Sequence, residues 1–130
     1  MIKLTLWAVG LYHVVFGLMT FLSRDLAVQI AKDFFGMTIV ANDQIIYLAK
    51  LLGIYAFIFG IVMFVAARKP DVYRAFIWVG VVLYAVRIVN RIVFSDLVRN
   101  AFLVSSFAFW MEIILLTFFG GLLYILRPKQ

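Results

Sequence analysis

The chain has 130 residues, 67% of them hydrophobic and only 14% charged, with a formal net charge of +6. Soluble domains run at about 45–50% apolar and about 25% charged, so this is the composition of a membrane protein of a single domain. The sequence contains no cysteine, which excludes disulfides, thiolate metal sites, iron–sulfur ligation and dithiol redox chemistry. The basic excess lies mainly beside hydrophobic segments, where topology and anionic headgroups account for it, and binding to nucleic acid is not expected.

Four apolar stretches approach the roughly 20 residues that cross a bilayer: about 4–22, 45–67, 75–94 and 101–126. Each must be a helix, because an open strand in lipid leaves backbone groups unpaired. The predicted fold class is therefore all-α: a four-transmembrane-helix bundle in which residues 1–130 form one integral membrane domain. The first stretch has no short apolar region followed by an Ala-x-Ala-like cleavage site, so it reads as a retained span. Residues 23–44 are the one long connection. Within it, "SRDLAVQIAKDFFG" offers Ser23 as an N-cap, Asp25 in the first turn, Leu26, Ile30 and Phe34 at four-residue spacing, and Gly36 as a stop. That pattern predicts a short amphipathic helix on the outer interface between the first and second spans, with an irregular loop as the alternative. "RKPD" at Arg68 to Asp71 is a tight basic turn, and Pro128 closes the last helix. The third and fourth spans are expected to form a tight antiparallel hairpin.

Four spans place the amino terminus, the 68–74 turn and the carboxyl terminus on one side. That side holds Lys3, Arg68, Lys69, Arg74, Arg127 and Lys129 against Asp71, while the other mixes Arg24, Lys32 and Arg99 with Asp25, Asp33, Asp43 and Asp96. The positive-inside rule then predicts a cytoplasmic (inner) membrane protein with both termini in the cytoplasm.

The first two spans share a pattern. "GLYHVVFGLM" aligns with "GIYAFIFGIV", matching Gly10 with Gly53, Tyr12 with Tyr55, Phe16 with Phe59, Gly17 with Gly60 and, beyond, Phe21 with Phe64. Either an ancient duplication or convergence produces such a match. Glycines seven residues apart fall on one helix face, and small residues on one stripe let transmembrane helices approach closely. Gly80 in "WVGVVLY" and Gly120 and Gly121 in "FFGGLLY" join them as expected packing positions.

Five polar residues interrupt the apolar spans: His13, Arg87, Asn90, Arg91 and Glu112. Charge in the bilayer centre costs about 2.5–3.5 kcal/mol or more, so such residues are candidates for function. "RIVNR" puts Arg87, Asn90 and Arg91 at i, i+3 and i+4. Arg91, near the headgroups, reads as a snorkelling anchor; Arg87 lies deeper. Glu112, counted from residue 101, falls about 16 Å into the fourth helix, near the midplane and within reach of Arg87. An Arg87–Glu112 ion pair either fixes helix register with Asn90 or forms part of a ligand site. His13 lies at similar depth, with Tyr12, Tyr55 and Tyr84 as polar neighbours at comparable levels. A cluster of this kind suits a quinone headgroup, a lipid headgroup or a proton. A lone histidine cannot supply bis-histidine haem ligation within one chain, and no His/Asp/Glu set has metal-ligand spacing. No Ser–His–Asp set, Walker loop, dinucleotide fingerprint or carboxylate pair is recognisable. No catalytic residue, metal or resident cofactor is predicted.

The order of parts resembles the small four-helix membrane proteins of the DoxX-like group, including the BphX-like relatives: "GLYHVVFGL" in the first span, a long connection with "DFFG", "LLGIYAFIFGIVMF" in the second, "RKPDVYR" in the turn, then "RIVNRIVF". The resemblance covers nearly the whole chain and rests on glycines and a basic turn. It implies a four-helix bundle; namesake members are associated with quinone-linked sulfur oxidation, but no catalytic signature carries onto residues here. The leading expectation is thus a non-catalytic accessory or scaffolding subunit of a larger membrane complex, or a homo-oligomer. The alternatives are a quinone- or lipid-binding component of a membrane electron-transfer system and, third, a small transporter, for which four spans without broken half-helices leave little room.

Overall fold

A computed structural model describes residues 1–128. Among these, the chain forms six helices: α1 (Ile2–Leu22), α2 (Arg24–Asp33), α3 (Asp43–Arg68), α4 (Arg74–Val93), α5 (Ser95–Phe102) and α6 (Ser106–Leu126). Four of them, α1, α3, α4 and α6, are long and apolar enough to cross a membrane, so the all-α four-helix bundle read from the sequence is what the chain forms. Lys129, counted above among the basic residues of one side, lies outside the described residues.

Neighbouring helices run antiparallel. α1 packs on α3, α3 on α4, α4 on α6 and α6 back on α1, which closes the bundle. The α1/α3 contact is the most intimate, and the repeated glycines explain it. A Cβ added at Gly17 would lie 2.5 Å from the Phe57 backbone nitrogen and 2.6 Å from the Gly53 carbonyl oxygen; one added at Gly60 would lie 2.7 Å from the Gly10 carbonyl oxygen. Sequence alignment matches Gly10 with Gly53, yet in space Gly10 meets Gly60 and Gly17 meets Gly53. Two antiparallel helices bearing the same glycine pair make two equivalent close crossings, so the repeat has a packing reason whatever its origin. The matched phenylalanines share it: the Phe64 ring covers Gly10, and the Phe21 backbone approaches Gly53.

Between α4 and α6 the contacts are larger. Gly80 faces Leu123 and Met63, and Gly120 faces Tyr84. Leu6, Val9, Met63, Ala66, Ile77, Tyr84, Leu116 and Leu123 form the main buried cluster. Gly121 differs from the other glycines: no heavy atom lies within 4 Å of a Cβ built there, because the adjacent Gly120 already occupies the direction facing α4. Gly121 is therefore not a packing position.

The end of the bundle opposite the termini is capped. Ser23 accepts a hydrogen bond from the Leu26 amide at 3.3 Å and starts α2 with Asp25 in its first turn. Gly36, with φ +61°, ends the α2 segment by donating its N–H to the Lys32 carbonyl at 3.1 Å. The buried residues of α2 are Ala27 and Ile30, while Phe34 is largely exposed and sets its ring edge against Phe16. The inward face is thus rotated from the expected Leu26–Ile30–Phe34 stripe. An exposed Arg24–Asp43 ion pair at 3.4 Å ties α2 to α3.

The third and fourth spans are not a tight hairpin. Residues 95–102 form the separate helix α5, with Asp96 in its first turn and Arg99 in its last. Leu103 then turns the chain in a left-handed conformation, φ 51°, and Ser105 caps α6 by accepting from the Ala108 amide at 3.2 Å. The fourth span starts at Ser106, not at residue 101. The Thr38 amide bonds the Phe102 carbonyl at 2.7 Å, and Met37, Val98, Phe102 and Ala108 pack around Val104, Phe109 and Ile113. α5 and the 34–42 connection therefore fold over this end of the bundle.

Candidate functional site: an arginine–glutamate cluster inside the bundle

Glu112 stands six residues into α6, about 9 Å along the helix, rather than at the midplane where a count from residue 101 puts it. Arg87 stands six residues from the end of α4, at the same depth. The two meet: Arg87 Nη2 donates to Glu112 Oε1 at 3.1 Å. The other carboxylate oxygen, Oε2, lies 2.5 Å from Arg91 Nη2, a charge contact that is out of line for a hydrogen bond. One carboxylate thus serves two arginines, and the cluster carries one positive charge in excess.

Arg91 is 5% exposed. It is no snorkelling anchor, because its guanidinium turns inward to Glu112 and the Phe109 ring, both on α6. Its i+4 spacing from Arg87 puts both guanidinium groups on one face, and the cluster holds two arginines rather than Arg87 alone. Arg87 behaves differently. Its side chain keeps 34% of its exposure, whereas that of Glu112 keeps 12%, and it emerges at one end of a shallow apolar groove lined by Ala75, Trp78, Val79, Val82, Leu83 and Val86. The groove follows the outward face of α4 for about 18 Å.

His13 sits at mid-helix between the two glycine crossings of α1. A carbonyl can only accept, so His13 Nδ1 donates to the Val9 carbonyl, at 2.9 Å. Its ring meets Phe59, Tyr12 and Tyr84 edge to face, with centroids 4.7, 5.0 and 6.0 Å away, and Nε2 is buried without a hydrogen-bond partner. Tyr84 precedes Arg87 by three residues on α4, so Tyr84 and the His13 ring that meets it, with Tyr12 against His13, lie about one turn further into the bundle.

Two expected members are not brought in. Tyr55 is 62% exposed: two residues on from Gly53, it lies about 200° around α3 from the glycine crossing. Asn90 is exposed, because the inward line of α4 runs through Ile77, Gly80, Tyr84 and Arg91, and Asn90 is rotated about 100° from Arg91. It makes no side-chain hydrogen bond among the described residues, so it does not help fix the register of the ion pair.

Among the described residues, no group of three or more His, Asp or Glu side chains is placed to hold a metal ion. Comparison of the chain with protein-family models, with curated proteins and with solved structures finds no match. Fold and site together define an integral membrane four-helix bundle with a buried two-arginine, one-carboxylate cluster open to the lipid-facing side through Arg87.

Proposed function

We propose that this protein binds an amphiphile, a quinone or a lipid, with the polar head at Arg87 and the tail along the α4 groove. The observation that carries this reading is the placement of Arg87: part-exposed, about 9 Å from the helix end, held by Glu112, and at one end of an 18 Å apolar track. A guanidinium only donates hydrogen bonds, so the matching head offers an acceptor, a quinone carbonyl or a lipid ester or phosphate oxygen. The positive charge in excess favours an acceptor with negative charge density. On this reading the protein is a non-catalytic component of a membrane electron-transfer system. It lies in the cytoplasmic membrane with both termini in the cytoplasm, and membership of the DoxX-like group, which rests on the order of its sequence motifs, belongs to the same proposal. Native mass spectrometry of protein released in mild detergent tests it. Wild type should carry a small molecule that Arg87→Leu loses while remaining folded; equal retention by both refutes the site.

A second reading is favoured by the same face of α4. Val79, Val82, Val86, Val89 and Val93 recur at spacings of three and four, and each is about half exposed or more, the seam a partner helix would use. This is the accessory-subunit or homo-oligomer role. Recovery only as a lone monomer across several mild detergents would count against it.

A further inference from the structure

We infer that the capped end of the bundle holds a second site, for the phosphate group of a phospholipid, built from Arg91, Arg99 and Phe109. The site is separate from the α4 groove, since neither Arg99 nor Phe109 lines it. Phe109 is 3% exposed, and two guanidinium groups stack on its ring: Arg99 with its carbon 4.6 Å from the centroid and Arg91 at 5.5 Å. Both arginines keep a buried Nε with no hydrogen-bond partner. A buried guanidinium N–H without an acceptor is costly, and here two such donors flank one ring.

The charges point the same way. Arg91 and Arg99 share the Phe109 ring, and the Glu112 carboxylate beside Arg91 is already divided between Arg91 and Arg87. Asp96, the acidic residue of α5, is exposed and forms no ion pair among the described residues. The excess positive charge beside the Phe109 ring calls for an anion with several acceptor oxygens, and arginine's fork matches phosphate geometry.

Placement selects the source. Arg91 is about 3 Å from the end of α4, at headgroup rather than acyl depth, and Arg99 lies on α5, whose surroundings expose Phe94, Leu97, Leu103 and Phe107. Those side chains give acyl chains an apolar wall beside the guanidinium pair. The phosphate of a membrane lipid satisfies both halves; a free phosphate satisfies only one.

The test uses the full-length protein, delipidated in detergent, with native mass spectrometry counting adducts. Phosphatidylglycerol, a diacylglycerol lacking phosphate, and millimolar inorganic phosphate are added separately. The expected result is phosphatidylglycerol binding, little binding of diacylglycerol, and a loss of about tenfold in lipid affinity for Arg99→Gln, the effect of one charged hydrogen bond. Lys32→Gln, an exposed cation at the same end, should bind as wild type. If Arg99→Gln fails to fold, Arg99→Lys replaces it: the cation stays, the Nε donor and the fork are lost, and binding should still fall. Arg99-dependent binding of inorganic phosphate with no lipid adduct overturns the lipid source. Equal binding of diacylglycerol and phosphatidylglycerol, or wild-type binding by both Arg99 variants, overturns the site. Loss of the phospholipid adduct in Arg99→Gln with retention of the groove ligand separates this site from the one at Arg87.

Discussion

Substituting Gly17 by alanine isolates the α1/α3 crossing. The new methyl group would stand 2.5 Å from the Phe57 nitrogen, 2.6 Å from the Gly53 carbonyl oxygen and 2.9 Å from the Phe57 Cα. All three are backbone atoms, so no rotamer change relieves the clash, and α1 must withdraw from α3 by about 1 Å to restore ordinary contact. Dispersion weakens steeply over such a gap, and overpacking a close-packed interior costs about 1–3 kcal/mol; we take about 2 kcal/mol for Gly17→Ala. Gly60→Ala, which meets the Gly10 carbonyl oxygen at 2.7 Å, should cost about the same. The two crossings are about 10 Å apart along the helix, far enough for the double variant to lose roughly the sum, about 4 kcal/mol. Gly121→Ala is the matched control. It meets nothing within 4 Å, so it should be neutral or gain up to about 1 kcal/mol from helix propensity. Reversible unfolding in mixed micelles of dodecylmaltoside and increasing SDS, followed by circular dichroism, gives the three values. If Gly17→Ala is as stable as wild type, or Gly121→Ala loses as much, the glycine crossing is not what holds α1 on α3.

Glu112→Gln leaves Arg91 buried without its counter-charge and should destabilise the bundle by about 3 kcal/mol in the same unfolding assay; adding Arg91→Met should recover a good part of that loss, and a double variant worse than the single would contradict the shared-carboxylate geometry. Asp43→Asn removes only the exposed bridge to Arg24 and should change stability by less than about 1 kcal/mol. Single cysteines at Lys69 and Asp25, introduced into a chain that has none, should react with a membrane-impermeant maleimide from opposite faces, Asp25→Cys from outside intact cells; reaction of both from the same face would break the four-span topology.

What the sequence made legible follows from how local each signal is. The helices come from hydrophobic length, a property of contiguous residues. The Ser23 cap, the Gly36 stop and the RKPD turn act over a few residues and lie where they were expected. Gly10, Gly17, Gly53 and Gly60 announced a packing stripe, but their pairing in space needed the antiparallel direction of the two helices, which sequence alignment reverses. The fourth span begins five residues later than its apolar pattern, because Ala101 to Val104 extend the hydrophobic run while belonging to the end of α5 and the turn after it. Ser105 marks the true N-cap, and taking it as such would have moved Glu112 to the depth of Arg87 at once. The burial of Arg91 was not legible locally. It depends on α6 packing against α4 so that Glu112 and the Phe109 ring meet the guanidinium, a contact between residues far apart in the chain. Tyr55 and Asn90 failed for a rotational reason: depth along a helix can be counted from sequence, whereas the direction a residue faces depends on which stripe the partner helix selects.

Photolabelling shows whether an amphiphile lies along α4 with its head at Arg87. A quinone or phospholipid analogue with a photoreactive group in its tail is irradiated with the protein in native membranes, and cross-links are located by peptide mass spectrometry. Labels should concentrate on the α4 face of Trp78, Val79, Val82 and Val86 and be lost in Arg87→Leu. Labels spread evenly over the lipid-facing sides of all four spanning helices, or unchanged by Arg87→Leu, would contradict that placement.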